Sequence, residues 1–96
     1  MTTASPTYQI VSADHYAGPR PDAEARNGLQ PGQGAKLLFA LDGYYTERMW
    51  VIVTRRLDDG GYVGTLHNNP VALPIQRGTV VRFVASEIVD IYDPKA

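Results

Sequence analysis

The chain has 96 residues, 44% of them hydrophobic, with nine Lys and Arg against ten Asp and Glu, seven Pro, nine Gly and no Cys. That length supports a single domain, and a net charge of −1 is not that of a surface built to neutralise many phosphates. Without cysteine there are no disulfides, thiol nucleophiles or thiolate-bound zinc, so stability has to come from packing.

Residues 1–10 carry neither the basic stretch nor the apolar run of a secretory leader. No apolar run exceeds five residues, the length of 49–53, far short of the roughly 20 residues that span a bilayer. The expected location is therefore the cytoplasm.

Residues 1–35 hold four of the prolines (Pro6, Pro19, Pro21, Pro31) and four of the glycines (Gly18, Gly28, Gly32, Gly34). Proline lacks a backbone donor and glycine raises the entropy of the unfolded chain, so this stretch reads as a loosely packed N-terminal arm. Within it, residues 22–27 follow Pro21 with helix formers and precede Gly28, which predicts a turn or two of helix. Tyr8, Ile10, Val11 and Tyr16 are also compatible with a short edge strand, and the sequence leaves open whether the arm packs on the rest of the chain.

From Lys36 the texture changes to short apolar runs broken by turn residues, the pattern of a small all-β domain over residues 36–96. Residues 36–41 predict a first strand, ended by Asp42-Gly43. Residues 47–56 predict a second, with Met49, Val51 and Val53 on one face and Trp50, Ile52 and Thr54 on the other. Both faces are apolar, so this strand is expected to be central. Residues 57–61 (LDDGG) suit a hairpin turn, and residues 61–67 return antiparallel. Asn68-Asn69-Pro70 then breaks the chain before a short apolar stretch at residues 71–75.

Residues 79–84 predict a fourth strand, residues 86–88 a helical turn capped by Ser86, and residues 89–92 a fifth strand. Five short strands with one helical turn before the last is the order of an SH3-like five-stranded antiparallel barrel. Gly64 in mid-strand suits the sharp coiling of such a barrel.

The run 47–54 (ERMWVIVT), followed by GTLHNNP at 64–70, RGTVVRF at 77–83 and Ile88-Val89-Asp90, resembles the YegJ-like family of small bacterial proteins over about residues 31–92. The family pattern reads as an E-R-M-W-V strand, a G-x-L-x-N-x-P turn, a G-D-x-V strand and an I-x-D ending. This chain departs from it at Thr79, where the pattern has an acid. The family is one of uncharacterised function, so the resemblance implies a fold and a bacterial origin and carries over no catalytic residue.

Few residues suggest chemistry. His15 and His67 lie far apart in sequence, and a metal site needs three or four converging ligands, so no metal or cofactor is expected. Asp58-Asp59-Gly60-Gly61 is too short to wrap a cation and reads as a turn. None of Ser5, Ser12 and Ser86 lies in a nucleophile pattern, and Glu87 and Asp90 fall on a solvated turn. No enzymatic activity is expected.

The aromatic and basic groups say more. Between Lys36 and Val84 the chain carries six basic and four acidic groups, and Tyr44, Tyr45 and Tyr62 are interleaved there with Arg48, Arg55 and Arg56. With His67, Asn68 and Asn69 on the following loop, these residues form the candidate binding set. The leading expectation is a non-enzymatic module that binds another protein, such as an effector, a toxin or an assembly component. The alternative is single-stranded nucleic acid bound by stacking and charge. Trp50, the one tryptophan, is expected in the core, with a groove position as the competing reading.

Overall fold

The structure, a computed structural model, describes residues 8–94. Six antiparallel strands form one sheet: β1 (Gln9–Val11), β2 (Gly34–Ala40), β3 (Glu47–Arg56), β4 (Tyr62–Leu66), β5 (Val80–Phe83) and β6 (Asp90–Tyr92). The order is β1-β2-β3-β4-β5, curled into a half-barrel, and β6 also pairs with β2. One edge of β2 takes β3, while its other edge is shared, with β6 on residues 34–36 and β1 on residues 38–40. Among the described residues no helix is long and apolar enough to cross a membrane.

The hairpin after β3 forms as its residues dictate. Leu57 N–H donates to the Gly61 carbonyl at 2.8 Å, and Gly60 takes the left-handed φ of +88° that the turn needs. The register of β3 against β4 slips between Val53 and Arg55, a bulge at Thr54 whose hydroxyl donates to the Val63 carbonyl at 3.1 Å. The apolar stretch 71–75 forms no strand, because the Glu47 carboxylate takes the amides of Val71, Ala72 and Leu73. The helical turn before β6 is a 3₁₀ turn at Ala85–Glu87. Its cap is not Ser86: Glu87 reaches back to accept the Val84 N–H at 2.9 Å.

The arm expected to be loosely attached differs over residues 8–35; residues 1–7 lie outside the described part. Asp22 caps the short helix α1 (Ala23–Asn27) by accepting the Ala25 N–H at 2.8 Å. The chain beyond it buries Leu29 in the main core and enters β2 at Gly34, two residues before the expected boundary. Burying one leucine contributes on the order of 2 kcal/mol, which an irregular backbone can supply as well as a helix.

The main core gathers Leu29, Leu37, Phe39, Met49, Val51, Val53, Tyr62, Leu66, Leu73, Val81, Phe83 and Ile88. Leu38, on the other face of β2, joins Ala13 and Val89 in a second, smaller cluster. β3 is the middle strand of the order, as expected, but the strand covered on both faces is β2, and the outer face of β3 stays half open.

Two aromatic assignments exchange places. Trp50 is half-buried on the outer face, with the Lys36 ammonium 4.9 Å from its ring and Tyr92 edge-on at 6.3 Å. Tyr62, expected on a binding surface, is fully buried and stacked on Phe83 at 5.3 Å. Its hydroxyl donates to the Arg26 carbonyl at 2.7 Å and accepts the Leu29 N–H at 3.3 Å, so a polar tip reaches the core without an unmet bond. Tyr62→Phe leaves both backbone groups without that partner, and a loss of about 1–2 kcal/mol is expected, measured as a lower urea midpoint with an unchanged slope.

Candidate functional site

The turn from β2 to β3 and the loop from β4 to β5 meet at one end of the half-barrel. In the first, Tyr44 N–H donates to the Leu41 carbonyl at 3.0 Å and Gly43 takes a φ of +84°. The turn therefore presents Tyr44, 44% exposed, and Tyr45, 92% exposed. In the second, Val71 is 94% exposed while Leu73 is buried in the core. Gly43, Tyr44, Tyr45 and Ala72 line a shallow concavity between the two.

The second loop is irregular but held. Glu47, at the start of β3, accepts the N–H groups of Val71 at 2.9 Å, Ala72 at 2.7 Å and Leu73 at 2.8 Å. Burial opposes ionisation of this carboxyl, but the three amides outweigh it and hold the group below the ordinary glutamate range. Asn68 Oδ1 accepts the Trp50 N–H at 2.5 Å, and His67 N–H donates to the Trp50 carbonyl at 2.9 Å. One side-chain bond and one backbone bond thus extend the sheet past the last residue of β4. The His67 ring lies 3.4 Å from the Arg77 guanidinium, and Asn69 is exposed.

The remaining candidates do not join this end. Arg55 and Arg56 sit at the far end of β3, a strand of ten residues and so about 30 Å long. Arg56 is committed there: its guanidinium lies 5.7 Å from the Tyr62 ring centre and donates to the Asn27 carbonyl at 3.0 Å. Arg48 projects from the outer face toward Tyr16, at 6.0 Å. Tyr62 is in the core, so the set of three tyrosines and three arginines proposed for stacking on single strands is not one surface.

Other titratable groups have structural partners. Asp59 accepts the Gly61 N–H at 2.9 Å and pairs with Arg82 at 2.7 Å, and the Gly61 bond, then Arg82, lower its carboxyl despite some desolvation. Burial raises Glu87, partly offset by the Val84 bond. Among the described residues no three His, Asp or Glu side chains converge as a metal site would require.

Sequence reasoning missed Glu47 and Val71. The signal for Glu47 was a single carboxylate at the start of an apolar strand, which reads equally well as a solvated strand end. Comparison of the chain with known protein families, with curated proteins and with solved structures finds no match.

Proposed function

We propose that this chain is a non-enzymatic protein-binding module whose loop end, formed by Tyr44, Tyr45 and Val71 with His67, Asn68 and Asn69 behind them, docks a protein partner of the effector, toxin or assembly class. The observation that carries this reading is the combination of exposure and order. Tyr45 and Val71 are the two most exposed large apolar side chains of the described residues, and the backbone of the Val71 loop is pinned by a carboxylate. Aromatic side chains on a fixed backbone lose little entropy on binding, which is what makes a few of them sufficient anchors.

The same reading takes the half-barrel as SH3-like, on its strand order and the 3₁₀ turn before the last strand. It places the protein in the cytoplasm of a bacterium within the YegJ-like family, on the spaced motifs of residues 47–90. A double variant Tyr45→Ser/Val71→Ser is expected to keep its melting temperature within a few degrees, because neither side chain is buried. It should also lose a partner that the native chain retains in affinity purification. Retention of that partner by the variant, or binding of oligonucleotides that weakens as salt rises, would replace this reading.

A further inference from the structure

A second concavity, of about 490 Å³, lies on the outer face of the sheet and is lined by Val11, His15, Tyr16, Leu38, Thr46 and Arg48 among others. Its floor follows from register. Leu38 of β2 stands opposite Arg48 of β3, and Leu38 is 6% exposed because Ala13 and Val89 close over the same face. Its wall is the Tyr16 ring, carried there by the 3₁₀ turn Ala13–His15 that follows β1. Gly18 lets that ring lie against the backbone, since a Cβ at this position would stand 2.5 Å from Tyr16 Cε2.

Arg48 closes the rim. Its guanidinium is held 6.0 Å from the Tyr16 ring centre, and no carboxylate of the described residues pairs with it, whereas Arg20 and Arg82 are matched to Asp14 and Asp59. No acidic side chain lines the cavity. Asp14 and Glu47, each next in sequence to lining residues, are engaged elsewhere: Asp14 by Arg20 at 3.2 Å, and Glu47 by the amides of Val71, Ala72 and Leu73. The site therefore offers one unmatched planar cation and an imidazole above an apolar floor, in a volume typical of small-ligand pockets.

A guanidinium oriented by an aromatic ring recognises a carboxylate through two parallel hydrogen bonds. Val11 and Leu38 favour an apolar body attached to that carboxylate. A bare phosphate would meet the same guanidinium but has no apolar body to offset the hydration it loses against the same floor. We propose that this pocket binds a small carboxylic acid with an apolar body, the carboxylate on Arg48 and the body on Leu38 and Val11 beside the Tyr16 ring. The inference uses residues other than those of the proposed docking end and stands without it.

The test is an amide NMR titration of the full chain with sodium phenylacetate, phenylacetamide and inorganic phosphate in separate arms. Phenylacetate is expected to move the Tyr16, Leu38 and Arg48 amides with an affinity on the order of millimolar, as suits a ligand of about ten heavy atoms. Phenylacetamide, the neutral isostere, should bind at least about tenfold more weakly, and phosphate should leave these amides in place. Arg48→Met, which keeps an apolar stem beside Tyr16, should lose about the same factor while its spectrum stays dispersed. No shift with phenylacetate, equal shifts with phenylacetamide, shifts of the same amides with phosphate, or unchanged binding by Arg48→Met would each overturn the proposal.

Discussion

Gly64→Ala is expected to lower the folding free energy by roughly 2–4 kcal/mol, a large fraction of the total for a domain of this size. Gly64 lies in the middle of β4, opposite Val53 and beside the bulge at Thr54. A methyl group there would stand 2.5 Å from Val51 Cγ1 and would overlap the Ile52 carbonyl oxygen. The second neighbour is backbone of the longest strand, so no side-chain rotation relieves the contact, and β3 must move against β4. Gly43→Ala isolates the other glycine effect, since its φ is +84° with open space around it. It should cost only about 1 kcal/mol. Urea denaturation of the two variants compares them directly, and equal midpoints would contradict this account of Gly64.

Most strands were legible because their signals are local. The apolar run of β3, the Asp-Gly turn after it and the alternation in β5 each lie within a few residues. Which face of β3 points inward was not legible. Met49, Val51 and Val53 oppose Trp50, Ile52 and Thr54, and both sets are apolar, so the strand alone cannot choose between them. The choice depends on β4, whose Tyr62 lies within the curl, and on Arg26 and Leu29, whose backbone groups satisfy its hydroxyl. Leu29 is the single large aliphatic residue between positions 17 and 34. The density of proline and glycine around it argues correctly against regular structure there and says nothing about where one leucine packs.

The candidate site was legible in the same proportion. A pair of tyrosines after Asp42-Gly43 falls on a turn, and both side chains are exposed. The arginines were grouped by their nearness in sequence, but a strand separates what its numbering joins: Arg48 and Arg56 lie eight residues apart, about 26 Å along an extended chain. The role of Glu47 required knowing that residues 71–73 return to the start of β3. That is a contact across 24 to 26 positions, and neither segment announces it.

Glu47→Ala is expected to cost roughly 2–3 kcal/mol, less than three separate charged hydrogen bonds would suggest, because Val71 and Ala72 are exposed and their amides can rehydrate. The buried Leu73 amide carries most of the loss. Hydrogen exchange should show protection at Val71, Ala72 and Leu73 falling while the β3–β4 ladder keeps its own. The folded carboxyl titrates below its unfolded value, so its contribution is complete above the unfolded pKa and disappears as pH falls through the folded one. Glu87 is raised and changes in the opposite sense, favouring the fold more as pH falls, so the pH profile of the native chain alone mixes the two. The difference between native and Glu47→Ala midpoints cancels Glu87 and Asp59. It should be constant near neutrality and close on acidification below the ordinary glutamate range. A difference that persists in acid would mean that the side chain acts by packing rather than through its charge. At neutral pH the variant should also bind a loop-end partner about tenfold more weakly, since about 1.4 kcal/mol of loop ordering would then fall on the binding step.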